Sequence, residues 1–164
     1  IGMGYYDTIT PGVILAGKAL GCFIMCVIVQ ALLLAFGVLV FGMKVHQPVM
    51  MLAVVVFASF GFTGLMMLMA GVARTEAAAS GMGRALVLVL AMIGGGSIPI
   101  FFMPPIMQTI SNVSPFKWAT LAIEGAMWRR FSPADMALPA GILVAAGIFG
   151  FLAGASALKR SGST

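Results

Sequence analysis

Between Lys18 and Lys44 the chain carries no charged side chain, and nearly every residue of Ala19–Met43 is apolar. That run decides the environment. A helix rises about 1.5 Å per residue and the hydrocarbon core of a bilayer is about 30 Å thick, so about 20 apolar residues cross it. Comparable runs extend from Val49 to Ala73 and from Met136 to Leu158. A further charge-free stretch, Ala85–Phe116, is interrupted by Pro99, Pro104 and Pro105. Barrel strands would alternate apolar and polar residues over about ten positions, whereas Val27–Phe41 and Leu52–Met69 are apolar on every face. Helices are therefore expected.

Composition points the same way. Of 164 residues, 62% are hydrophobic and 8% charged, with a mean hydropathy of +1.14. Soluble domains average about 45–50% apolar and about 25% charged. A water-soluble globule is excluded, as are disorder, a collagen repeat and, with two cysteines, a disulfide scaffold. The net charge of +5 would suggest nucleic acid in a soluble protein. Here the cations flank apolar runs, where they hold topology and meet lipid phosphates, so lipids and not nucleic acid are the expected partners.

The expected fold is all-α and polytopic, a single transmembrane domain with spans over about 12–43, 49–73, 82–103 and 133–158. Thr10-Pro11, Ser114-Pro115 and Ser132-Pro133 each offer a hydroxyl at the N-cap and proline at the first helical position. Ser132-Pro133-Ala134-Asp135 resembles a capping box with Asp in place of Glu. Four crossings would place Lys18, Arg74, Arg84, Lys159 and Arg160 on one side and Lys44, Lys117, Arg129 and Arg130 on the other. The bias favours both ends of this segment in the cytoplasm of a cell-membrane protein. The first residue is Ile rather than Met, which suggests further sequence upstream.

The most informative stretch follows the third run. Gly94-Gly95-Gly96-Ser97-Ile98-Pro99 breaks a helix, and Met103-Pro104-Pro105 and Ser114-Pro115 follow closely. Three glycines and a proline free backbone groups that, at membrane depth, must be buried in protein or line a cavity. A new helix fits Pro115–Phe131, with Lys117, Thr120 and Glu124 on one stripe and Trp118, Ala119, Ala122 and Ala126 opposite. Trp118 and Trp128 near its ends suit the head-group belt. The expectation is a span that enters, breaks and returns as a short amphipathic segment over 104–131; the alternative is an ordinary loop bearing a surface helix.

Gly-Gly-Gly-Ser-Ile-Pro at 94–99, Met103-Pro104-Pro105-Ile106-Met107-Gln108, Ile110–Pro115 and Lys117-Trp118-Ala119 resemble, in order, the C-terminal region of ABC type-2 exporter permeases. Thr10-Pro11 through Lys18 looks like that family's approach to its third span, and Ala73–Ala77 like its short cytoplasmic turn before the fifth. The resemblance implies six spans per permease half, of which the last four are present here. It further implies a dimer of permeases, homo- or heterodimeric, each engaging a separate ATPase subunit that holds ATP and Mg. Tyr5, Tyr6, Asp7, Thr10, Pro11, Arg74 and Glu76 would lie toward the ATPase. Gly94, Gly95, Gly96, Pro99, Pro104, Pro105, Ser114, Pro115, Trp118 and Glu124 would form the outer gate.

The chain itself has no G-x-x-x-x-G-K-[ST] phosphate cradle, no nucleophile–base pair and no metal cluster in sequence, so it is expected to be no enzyme and to bind no cofactor. Energy must then arrive as motion at a cytoplasmic surface and leave at a hinge in the broken helix. Small residues for close packing occur at Gly17-x3-Gly21 and Gly150-x3-Gly154, with Gly61, Gly64, Gly141 and Gly147 nearby. Each conspicuous polar residue has a plain reading beside the functional one. Glu124 is either half of a gate pair or, the preferred reading, a solvated charge; Glu76 is a turn charge or an ATPase contact. Asp7 is equally an ATPase contact or a terminal polar residue. Gln30 bridges helices or faces the pathway, and either keeps it from lipid. Cys22 and Cys26, one turn apart, are expected to pack; His46 to serve its loop; and Met66, Met67 and Met69 to fill core or meet lipid rather than form a drug-binding wall. The competing functions are a proton-driven antiporter, which needs an intramembrane acid that the three long runs lack, and a scaffold, which needs no broken helix.

Overall fold

The structure is a computed structural model and describes residues 11–73, 75–96 and 100–161. Its six α-helices are α1 (Pro11–Phe41), α2 (Pro48–Val72), α3 (Glu76–Ile93), α4 (Pro105–Ser111), α5 (Pro115–Glu124) and α6 (Pro133–Ser161). A single 3-10 turn, Ile100–Phe102, precedes α4, and a π-helical turn, Gly125–Arg129, extends α5. Among the described residues there is no strand.

Three helices are long and apolar enough to cross a membrane: α1 over Leu15–Phe41, α2 over Pro48–Val72, and α6 over Pro133–Ala157. The third expected span is corrected. Rather than 82–103, α3 starts at Glu76 and stops at Ile93, and its apolar part is only Ser80–Ile93. Two local causes set these limits. Thr75 Oγ1 accepts the amide of Ala78 at 3.1 Å, a side-chain N-cap that starts the helix early. At the other end Gly95 takes φ +93°, outside helical space. The apolar stretch of α3 is thus shorter than those of α1, α2 and α6.

The core of the molecule is the parallel pair α2–α6, whose contact is the most extensive in the fold. Glycines let the two backbones touch. A Cβ on Gly64 would lie 2.6 Å from the Cα of Gly147, and one on Gly71 would lie 2.8 Å from the Cα of Gly154. A Cβ on Gly61 would lie 2.9 Å from the carbonyl oxygen of Leu143, and one on Gly150 would lie 3.0 Å from the amide nitrogen of Leu65. In lipid, where apolar burial alone does not drive helices together, such close van der Waals approach does. The small-residue expectation therefore holds for Gly150-x3-Gly154, Gly61, Gly64 and Gly147. It fails for Gly17, Gly21 and Gly141, beside which no atom would come within 4 Å of an added Cβ.

Helix α1 is the least buried of the three, with Leu32, Leu33, Leu39 and Phe41 all largely exposed. It is held to α2 by a polar bridge in mid-helix: Gln30 Nε2 donates to Ser59 Oγ at 2.9 Å. Ser59 is fully buried, and its carbonyl accepts the Thr63 hydroxyl at 2.7 Å. Of the two readings of Gln30, the structure realises the helix bridge. At one end of the bundle, the α1–α2 loop clasps the π turn. His46 Nδ1 donates to the carbonyl of Met127 at 2.6 Å and the Gln47 amide to that of Ala126 at 3.2 Å. Lys44, Arg129 and Arg130 therefore gather at one end, as the basic-residue partition expected. Met67 is buried in the core, and Met66 and Met69 are half-buried. Cys22 and Cys26 are free thiols.

Candidate functional site at the broken end of the third helix

The glycine run is where α3 gives way, and each glycine has a distinct cause. Gly94 still closes the helix, its amide bonding to Leu90 O at 2.8 Å, while α5 presses against its Cα. A Cβ there would sit 2.7 Å from Phe116 Cβ and from Ser114 Oγ. Gly95 needs its positive φ, and Gly96 turns back to bond Ala91 O at 2.8 Å. The break is a packed, hydrogen-bonded turn.

From here the chain builds a short helical cap. Pro104 stands at the N-cap of α4 and Pro105 at its first position, where the missing amide is one the helix would leave unpaired in any case. Ser114 occupies the N-cap of α5 with Pro115 after it, as expected. Its hydroxyl does not cap, however: it donates to Leu90 O at 2.6 Å. Leu90 O already accepts the Gly94 amide, and the fully buried Ser114 gives its second lone pair a donor from outside the helix. Ser114 thus pins the start of α5 to the end of α3.

The amphipathic wheel of α5 is realised. Ala119, Ala122 and Ala126 are buried against α2 and α6 beside Met51, Val54, Ala58, Met136 and Leu143, and Trp118 packs on that surface. The helical expectation of Pro115–Phe131 is corrected at its end, since α5 gives way to the π turn at Gly125. Gly125 leaves room for the Phe131 ring, which an added Cβ would approach to 2.5 Å, and Arg130 closes the turn at φ +50°. Trp128, beside it, is exposed.

The polar stripe faces a pocket of about 260 Å³ under the break, lined by Gly95, Gln108, Lys117, Thr120, Glu124 and Arg129 among others. Glu124 Oε2 accepts from Arg129 Nε at 2.9 Å, the one ion pair among the described residues. The pair is partly open to solvent, which is compatible with the preferred reading of Glu124 as a charge on a solvated helix face. Lys117 Nζ donates to Asn112 Oδ1 at 2.6 Å and lies 5.7 Å from the centre of the Trp118 ring. The indole donates to Asn112 O at 2.9 Å. Sequence reasoning named Gln108, Asn112 and Arg129 but did not place them in the site. The spacing of Lys117, Trp118 and Asn112 carried no periodic signal, because their meeting depends on the turn between α4 and α5.

A second, apolar groove of about 630 Å³ lies between the first turns of α2 and α6, lined by Gln47, Met50, Phe57, Met136 and Ala140 among others. Of the other expected site residues, Tyr5, Tyr6, Asp7, Thr10, Arg74 and Pro99 lie outside the described residues. For Pro11 and Glu76 the backbone alone is described, at the starts of α1 and α3. Gly94, Gly95, Ser114, Pro115, Trp118 and Glu124 do come together around the break.

All-helical among the described residues, with three long apolar helices, the chain is a multi-pass membrane protein. The family model described as ABC-2 type transporter matches residues 5–128, and the chain belongs to that family. It is accordingly a transport subunit and not itself catalytic; the family works with an ABC ATPase. Neither a curated protein nor a solved structure matches the chain.

Proposed function

We propose that this chain is the membrane-spanning subunit of an ATP-driven exporter and forms the translocation pathway for hydrophobic or amphipathic compounds such as drugs or lipid-like molecules. The match to ABC-2 type transporters over residues 5–128 carries this reading. In it α3 makes the third of four passes and returns as a re-entrant segment through α4 and α5, with both ends of the segment in the cytoplasm of a cell-membrane protein. The permease pairs with a second copy or a close homologue, and each engages an ATPase subunit, which binds ATP and Mg, through residues 5–11 and the turn at Arg74–Glu76.

The physical support lies in how force could travel. The glycine-sealed α2–α6 pair is stiff, because its backbones touch and no side chain between them can yield. A push on its cytoplasmic end therefore reaches the cap at the other end with little loss. There Ser114 and Gly94 couple the cap to α3, which makes the broken end a unit able to move as one. The proton-driven alternative lacks an acid anywhere within α1 or α2. Purification of the tagged full-length protein should recover a P-loop ATPase, and export should stop when ATP is depleted. Export that collapses with a protonophore yet persists without ATP would overturn the proposal.

A further inference from the structure

We infer that the pocket under the broken helix is a binding site for a phosphate oxyanion, carried by the headgroup of an anionic lipid. The charge arrangement is the first reason. The pocket brings together Lys117, Arg129 and Glu124, an excess of one positive charge. Glu124 is already paired with Arg129 at 2.9 Å, and through Nε, which leaves both Nη groups of the guanidinium for another acceptor. The Lys117 ammonium has only neutral oxygens, Asn112 Oδ1 at 2.6 Å and Gln108 O at 3.5 Å, against its three donors. Among the described residues no carboxylate balances it. Thr120 adds a hydroxyl to the same wall. A phosphate oxygen between Lys117 and Arg129 would supply the missing negative charge through charge-assisted hydrogen bonds.

Size and surroundings select the headgroup. At about 260 Å³ the pocket is smaller than the roughly 300–1,000 Å³ of sites that take a whole drug-sized molecule. It suits a headgroup whose tails lie elsewhere. Helix α4, which gives Gln108 to the pocket, leaves Ile106 and Ile110 exposed on its other side. In a membrane protein such residues meet acyl chains, so the pocket opens at the depth where headgroups lie, and cationic pockets of this kind hold anionic headgroups.

Native mass spectrometry of the full-length protein tests this without ATP or transport, so it can fail independently of the exporter reading. The protein is mixed with equal amounts of dioleoylphosphatidylglycerol and dioleoylphosphatidylcholine, which share tails and differ in charge. Wild type should retain the glycerol lipid at least fivefold over the choline lipid. Lys117→Gln should bring the ratio near parity, and Lys44→Gln, outside the pocket, should leave it unchanged. Glu124→Gln should raise retention several-fold, a gain that misfolding cannot imitate. Equal retention of the two lipids by wild type, or an undiminished preference in Lys117→Gln, overturns the site. Millimolar inorganic phosphate separates the sources: lipid that stays bound identifies the headgroup as ligand, and lipid displaced identifies free phosphate and overturns the headgroup assignment.

Discussion

Gln30 was the one plainly polar side chain in the middle of the first apolar run, and the structure gives it a partner 29 residues on. An unpaired amide in hydrocarbon costs several kcal/mol, so a polar group at that depth has to find an acceptor. Ser59 is that acceptor. Interhelical bonds of this type in membranes contribute about 0.6 kcal/mol on average and at most about 1.7. Gln30→Leu should therefore lower stability by about 0.5–1.5 kcal/mol, and Ser59→Ala added to it should cost little more. A double-mutant cycle in detergent unfolding measures the coupling; strictly additive losses would show that the bond contributes nothing. Arg130 presents the opposite case, a residue under strain. Its φ of +50° belongs to the left-handed region, where a non-glycine residue costs about 1–3 kcal/mol. Arg130→Gly should raise the unfolding midpoint, and a lowered midpoint would mean that the arginine side chain outweighs the strain.

At the level of elements, two families of glycine look alike in sequence and behave differently in space. Gly64 and Gly147 meet backbone to backbone, whereas Gly17 and Gly21 face open space within the chain. Gly64→Leu or Gly147→Leu would have to push α2 and α6 apart, with overpacking costs of at least about 1–3 kcal/mol. Gly17→Leu should fold normally. Yields of monodisperse protein from the two classes of variant decide the point, and equal yields would refute the α2–α6 contact. The start of α6 offers a smaller test. The Asp135 carboxylate accepts from the Ser132 amide at 3.1 Å and hydroxyl at 2.7 Å, while the Asp135 amide donates to Ser132 Oγ at 3.3 Å. This is the capping box read from Ser132-Pro133-Ala134-Asp135. Asp135→Ala should cost about 1 kcal/mol, seen as a lower unfolding midpoint, with Asp135→Glu retaining most of it.

For the whole molecule the open question is which side the cap faces. Val113 is 81% exposed between α4 and α5, whereas Ser111 nearby is fully buried, so a reporter belongs at the former. In a background with Cys22 and Cys26 replaced by Ala, Val113→Cys should react with an impermeant maleimide added outside intact cells. Reaction only after the cytoplasmic face is opened would invert the proposed topology. Replacing Gly94, Gly95 and Gly96 together with Ala should abolish export while membrane insertion persists. The structure supplies the cause: a Cβ on Gly94 collides with Ser114 and Phe116, so the cap can no longer seat on α3. Undiminished export by that variant would remove the break from the mechanism.

What the amino-acid order determined by itself was everything governed by short-range chemistry and by solvent. Uninterrupted apolar length announced helices in lipid, Pro11, Pro115 and Pro133 marked where helices begin, and Ser132 and Asp135 announced their own cap. The wheel of α5 was legible too, since its alanines and its charges recur at helical spacing. Tertiary structure decided the remainder, because it turns on which distant groups meet. Ser114 looked like an N-cap until Leu90 offered a carbonyl across 24 residues. Glu124 had no visible partner until the π turn swung Arg129 back onto it, and the ends of α3 at Glu76 and Ile93 were fixed by Thr75 and Gly95. Local pattern reports what a segment can bury or leave unpaired; only the packed fold reports which neighbour satisfies it.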